Sequence, residues 1–207
     1  LRETWIKVVV ENITYGSYAI ANVTTNGNGT VLLFLNGRYE KYNLTEGDGY
    51  YGNYSIVNGT LIVKFDTLYG PGNYSMAAVY MEDEYYKYAL NQTNFTVFKQ
   101  NTTIIANATN ITFWGNETIN VTVDANATGY IIITIPVRGV DQNYVAEIDE
   151  NGTAHLIIPH LFGGDYKNIR VFYAGDHNFN GNVTYINFTV APTDVYDMDV
   201  KADNITY

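Results

Sequence analysis

Apolar and polar residues alternate along most of the chain. In Ile119-Asn120-Val121-Thr122-Val123, Ile and Val fall on one side and Asn and Thr on the other. A period of two is the mark of a half-buried strand. Asn94-Phe95-Thr96-Val97 and Asn187-Phe188-Thr189-Val190 repeat it. Val31-Leu32-Leu33-Phe34-Leu35 and Tyr130-Ile131-Ile132-Ile133-Thr134-Ile135 are apolar almost throughout and predict strands in the middle of a sandwich. Asn58-Gly59 and Asn151-Gly152 stand between β-rich segments, where Asn-Gly favours positive φ and a tight hairpin. Met81–Leu90 could be helical by pattern, but a connection with a single turn is the better reading.

The pattern also occurs twice. Asn12-Ile13-Thr14-Tyr15-Gly16 returns as Asn110-Ile111-Thr112-Phe113-Trp114-Gly115. Leu68-Tyr69-Gly70-Pro71-Gly72-Asn73-Tyr74 returns, one residue shorter, as Leu161-Phe162-Gly163-Gly164-Asp165-Tyr166. A common order at a period of 93–99 residues means a duplicated domain. The phrase opens again at Asn204-Ile205-Thr206-Tyr207. The expected division is a first domain over residues 1–98 and a second over 99–191. Residues 192–207 then form a linker and the start of a third repeat. Each copy holds roughly seven short strands, the count of an immunoglobulin-like β-sandwich. The expected fold is all-β, two tandem sandwiches without disulfides.

Composition narrows the function. Of 207 residues 46% are hydrophobic, so a core can form; there is no Cys, which excludes a disulfide framework or a thiol nucleophile. A net charge of −10 argues against nucleic acid and anionic lipid. No run of 18 apolar residues occurs, so no direct membrane insertion is expected. His155, His160 and His177 are dispersed, and no Gly-x-Ser-x-Gly or phosphate-binding loop is present, so no enzyme activity is expected. No cofactor is expected. Calcium is a minor candidate at Glu82-Asp83-Glu84 and at Asp194, Asp197 and Asp199, though charge at domain ends commonly serves solubility alone. Lys7 is the one side chain of the first copy able to form a Lys–Asn/Asp cross-link, and the second copy has none at the matching place.

Val171-Phe172-Tyr173-Ala174-Gly175-Asp176-His177-Asn178-Phe179-Asn180 resembles the V-x-Y-x-G-D phrase of bacterial and archaeal Ig-like repeats. The glycine turn Gly163-Gly164-Asp165-Tyr166 and the closing Asn187-Phe188-Thr189-Val190 fit the same pattern. Copy one departs from it at Met81-Glu82-Asp83-Glu84. Such repeats fill large adhesin-like surface proteins of methanogenic archaea. The resemblance implies an extracellular, cell-surface adhesin fragment that attaches to glycans or proteins of other cells, flanked by neighbouring repeats of the same chain. A structural stalk or envelope component, with the function elsewhere in the parent chain, is the alternative.

Two sets of residues could carry contacts. Copy one is longer than copy two by about six residues, at Thr45–Gly52. Glu46, Asp48, Tyr50, Tyr51 and Tyr54 there are candidate ligand residues, because Tyr offers a flat face and a hydroxyl on a loop. The second set is an excess of Asn-x-Ser/Thr sequons. They begin at Asn12, Asn22, Asn28, Asn43, Asn53, Asn58, Asn73, Asn91, Asn94 and Asn101. They continue at Asn107, Asn110, Asn116, Asn120, Asn126, Asn151, Asn182, Asn187 and Asn204. Strand alternation alone also spells Asn-apolar-Thr, so eligibility and modification are separate matters.

Overall fold

A computed structural model describes residues 1–36, 50–66 and 70–193. Every regular element among them is a β-strand. Contacts divide the chain into two units, Leu1–Asn101 with His177–Asn180, and Thr102–Asp176 with the remainder.

In unit 1 the strands are β1 (Ile6–Val10), β2 (Ile13–Thr14), β3 (Tyr18–Thr25), β4 (Gly29–Asn36), β5 (Tyr50–Ile56), β6 (Thr60–Asp66), β7 (Gly72–Tyr80) and β8 (Ala89–Phe98). They form a three-stranded sheet, β1-β3-β6, and a five-stranded one, β2-β8-β7-β4-β5. Unit 2 repeats the plan with β9 (Ile105–Asn107), β10 (Ile111–Thr112), β11 (Asn116–Thr122), β12 (Tyr130–Val137), β13 (Val140–Glu147), β14 (Thr153–Pro159), β15 (Gly164–Gly175) and β16 (Asn180–Ala191). Its sheets run β14-β11-β9 and β10-β16-β15-β12-β13. Two mostly antiparallel sheets closed face to face are the architecture of an immunoglobulin-like sandwich.

Among the described residues each unit has eight strands where about seven were expected, because the first strand changes sheets. β1 pairs with β3 in the small sheet, and two residues later β2 pairs parallel with β8 in the large one. β9 and β10 do the same with β11 and β16. The repeated Asn-Ile-Thr phrase stands at this switch. Asn12 Oδ1 accepts the Thr96 N–H at 2.7 Å, and Asn110 Oδ1 accepts that of Thr189 at 2.9 Å. The side chain supplies an acceptor where the strand has not yet joined the ladder.

Alternation places the core. Val8, Ala21, Val23 and Val63 of the small sheet pack with Val31, Leu33, Met76, Tyr80 and Phe95 of the large one. The corresponding interior of unit 2 buries Ile119, Val121, Ile131, Ile133, Val171 and Phe188. The Val31–Leu35 and Tyr130–Ile135 runs lie inside the large sheets, as β4 between β5 and β7 and as β12 between β13 and β15. A smaller cluster of Phe34, Ala77 and Val79, with Leu32 against it, fills the other face of the large sheet in unit 1.

The two Asn-Gly turns differ. Asn58 and Gly59 have φ of 58° and 72°, the conformation expected of a two-residue turn. Only Val57 and Thr60 bridge across it, however, and the flanking strands β5 and β6 then part into different sheets. In unit 2 only Gly152 is left-handed. The Gly152 N–H reaches the Asp149 carbonyl at 3.0 Å, and the Asp149 carboxylate accepts the Asn151 and Thr153 N–H groups. Both glycines also lie hard against backbone: a Cβ would meet Thr25 O at 2.5 Å and Asp124 O at 2.7 Å. Met81–Leu90 contains no helix; it is an extended connection that turns at Asp83 and leads into β8.

Candidate functional site

A Tyr-x-x-Asp pair recurs at the end of β7 and of β15. The Tyr80 hydroxyl donates to Asp83 Oδ2 at 2.8 Å and lies 3.1 Å from Asn28 O. The Tyr173 hydroxyl donates to Thr128 O at 3.0 Å, and Asp176 Oδ2 accepts the Thr128 N–H at 2.8 Å. Burial first, then the neighbouring aspartate, pushes each phenol up to about 12. Asp83 also accepts the Tyr85 and Tyr86 N–H groups, and the Tyr80 bond is the main cause holding its carboxyl below the ordinary range. The carboxylate of Asp83 is thus committed to closing a turn. Among the described residues no group of three or more His, Asp or Glu is placed to hold a metal ion. Asp194, Asp197 and Asp199 lie outside those residues. Lys7 is exposed on the outer face of β1.

The tyrosine loop is divided by the fold. Glu46 and Asp48 lie outside the described residues. Tyr50 and Tyr51 are not loop residues; they open β5. Tyr54 is opposite Val31 and packs partly buried against the unit 1 core. A Cβ on Gly52 would lie 2.7 Å from the Tyr54 ring, so this glycine makes room for the tyrosine. Tyr54 is therefore a packing residue, a role the alternation of β5 already encodes.

The described sequons lie on the outer faces of strands and in the turns and connections between them. Asn91 is half-buried, and the other described members are exposed; Asn43 and Asn204 are outside the described residues. Many of the carboxamides are structurally engaged. Asn28 Oδ1 accepts the Asn58 N–H, Asn91 Oδ1 that of Val8, and Asn187 Oδ1 that of Asn168. Asn182 donates through Nδ2 to Thr102 O at 2.6 Å. Asn120 Oδ1 lies 2.6 Å from His155 Nδ1.

A different group, unmarked by any motif, gathers at one end of unit 2. The turn between β10 and β11 presents Trp114, 66% exposed, with its ring edge-on to His160 at 5.4 Å and tilted against Phe113 at 4.9 Å. His160 belongs to the β14–β15 connection, which also carries Phe162. The guanidinium of Arg138, from the β12–β13 turn, lies 4.2 Å from the Phe162 ring centre. Trp114, Arg138 and His160 all have left-handed backbones, with φ of 70°, 53° and 59°. For a bulky side chain this conformation is costly, and such residues gather where function maintains them.

The cost at Trp114 is visible in its twin. The Gly115 N–H closes on Thr112 O as the Ser17 N–H closes on Thr14 O. That register places Trp114, not Gly115, in the slot that Gly16 fills at φ 83°. In the sequence Gly16 and Gly115 stand as counterparts, which hides the exchange. An exposed indole, a phenyl ring under a cation and an imidazole offer apolar faces and hydrogen-bond donors together. Sugars and planar side chains are bound by such surfaces.

No family model matches the sequence, and no curated protein matches it. Solved structures do resemble the fold. A tetra-tandem repeat in the extending region of a large adhesion protein superposes with a TM-score of 0.51 at 15% identity, over 91% of this chain and 49% of that one. The chain thus spans about half the length of that repeat structure. A trypsin-activated alpha-2-macroglobulin from Escherichia coli matches 95% of this chain and 17% of its own, at 10% identity and a TM-score of only 0.36. The fold shown is that of a tandem pair of all-β repeats, like those of a large adhesion protein.

Proposed function

We propose that the chain is a non-catalytic segment of a cell-surface adhesin, exposed outside the cell. In this reading it contacts glycans or proteins of other cells through the aromatic end of unit 2. The observation that carries it is Trp114: an exposed indole kept in a left-handed slot that the sister repeat fills with glycine. An indole this exposed buries little in the core, and recognition on the loops of a rigid sandwich would account for its retention. The tandem architecture supports the same reading, since weak contacts repeated along an array gain through multivalency.

The test is binding of the multimerised chain to a glycan array and to candidate partner cells, beside Trp114→Ala. Binding that falls sharply in the variant is expected. Equal binding by both forms would overturn the assignment of the site. Absence of binding by either would leave a stalk or spacer, a role supported by the packing of half-buried Tyr54 against the unit 1 core.

A further inference from the structure

The small sheets of the two units have the same register and different outer faces. In unit 2, Asn120 of the middle strand has Asn107 on one side and His155 on the other. In unit 1 the same row reads Val9, Asn22, Ile62. Ile20 stands two residues before Asn22 on the same face. Val9, Ile20 and Ile62 are 37%, 46% and 65% exposed. Tyr18, also exposed, continues the patch and lies under the Lys64 ammonium at 3.6 Å. Asn22, on the middle strand, thus has exposed aliphatic side chains on three sides, Val9, Ile62 and Ile20, and Thr24 on the fourth. Exposed aliphatic side chains grouped on one sheet face gain from any group that shields them from water.

We propose that Asn22 carries an N-linked glycan whose first sugar lies over Val9, Ile20 and Ile62. Asn22-Val23-Thr24 is an acceptor sequon, and the period of two puts Thr24 beside Asn22 on the open face. Among the described residues the Asn22 carboxamide makes no hydrogen bond, so the amide is available. Its counterpart Asn120 is held by His155 and faces a second sequon, Asn107. Cross-strand neighbours are about 5 Å apart, which is within the span of a sugar ring on Nδ2. The ring's C–H face would then rest on the aliphatic collar and its hydroxyls would face water. The reaction joins Asn22 Nδ2 to the anomeric carbon of a lipid-phosphate-linked oligosaccharide. The carbon–oxygen bond to phosphate breaks, the lipid phosphate leaves with the bonding pair, and one amide proton is lost to base.

The test is glycan-preserving peptide fragmentation mass spectrometry on the full chain recovered from the cells that display it. A saccharide on Asn22, and higher occupancy there than at Asn120, is the expected result. An unmodified Asn22 overturns the proposal, whether or not other sequons are occupied. Asn22→Gln and Thr24→Ala, secreted from the same cells, should each lose one glycan mass and bind more of a hydrophobic dye. Lost mass with unchanged dye binding would overturn the packing of the sugar on the collar. If the bare chain dimerises in sedimentation and Ile62→Lys abolishes the dimer, a second copy covers the face and the glycan assignment is overturned. None of these readouts depends on adhesion, so the proposal can fail while the adhesive reading stands, and the reverse.

Discussion

Unit 1 and unit 2 are two answers to the same set of backbone constraints. At one register position of the small sheet the answers are opposite. Ala19, opposite Phe65, is fully buried in unit 1. Glu117, opposite Ile158, is fully buried at the same place in unit 2. Its Oε1 accepts the Thr109 N–H at 3.2 Å, while Oε2 has no partner among the described residues. Burial pushes this carboxyl up, and backbone N–H groups only partly counter it. The fold accepts a methyl or a carboxyl there. What differs is whether the neighbouring loop offers a donor, as Thr109 does.

The largest effect should come from forcing the second answer on the first unit. In Ala19→Glu a carboxylate enters a core cluster composed of apolar side chains. An uncompensated buried charge costs about 3–5 kcal/mol, enough to unfold a marginal domain. The chain has two tryptophans, and Trp5 falls in unit 1 and Trp114 in unit 2. Urea unfolding read by indole fluorescence should therefore show the Trp5 transition moving to much lower denaturant. An unmoved transition would mean that unit 1 has a hidden donor at this position.

The converse variant, Glu117→Gln, tests the pH dependence. A carboxyl with a raised folded value binds its proton more tightly in the folded state than in the unfolded chain. Its contribution is complete below the ordinary carboxyl range and is lost as pH rises through that range toward the folded value. The wild-type unit 2 should thus lose thermal stability on going from a pH below the ordinary carboxyl range to one above it, and Glu117→Gln should lose less. Melting curves at the two pH values decide it. A wild type whose unit 2 gains stability over this range would contradict the assigned direction.

Smaller effects should follow at the shared tyrosines. Tyr80 and Tyr173, raised to about 12, keep their protons in the folded state above the pH at which free tyrosine ionises. The stability they contribute is present below the ordinary phenol range and is lost as pH climbs toward 12. Tyr80→Phe and Tyr173→Phe should each cost about 1 kcal/mol at neutral pH. Each should also flatten the alkaline melt of its own unit, which circular dichroism from pH 9 to 12 would follow. If only one unit responds, the two Tyr-x-x-Asp pairs are not equivalent.

The same comparison shows what could be read from the sequence. The sandwich was legible because its signal is periodic. Alternation fixes which face of each strand is buried, and duplication supplies each strand twice. The packing of Tyr54 follows the same rule, since it shares the inward face of β5 with Gly52 and Ile56, but the glycines before it read as a loop and made it a ligand candidate. The sheet switch at Asn12 and Asn110 was not legible, because an Asn-Ile-Thr triplet reads as strand whichever ladder it joins. Nor was Trp114, since matching Gly16 to Gly115 is the natural alignment, and only the hydrogen bond to Thr112 shows which residue turns the chain. Backbone sign is a property of three-dimensional closure, and residue identity reports it weakly wherever glycine is absent.

That position gives the smallest stability change and the sharpest test of the comparison. Gly16 has φ 83° and Trp114 has φ 70° in equivalent turns. A left-handed backbone costs a non-glycine residue about 1–2 kcal/mol. Trp114 recovers part of that cost through its contacts with Phe113 and His160. Trp114→Gly should therefore leave unit 2 as stable as before or stabilise it by up to about 1 kcal/mol, although it deletes the largest side chain of the cluster. Differential scanning calorimetry measures this directly. A clear loss of stability would show that the indole is a packing residue that holds the end of the sandwich together. A gain, coupled to loss of cell or glycan binding, would show strain retained at a contact surface. Gly16→Trp completes the cycle: it should destabilise unit 1, because a left-handed backbone at φ 83° penalises a bulky side chain.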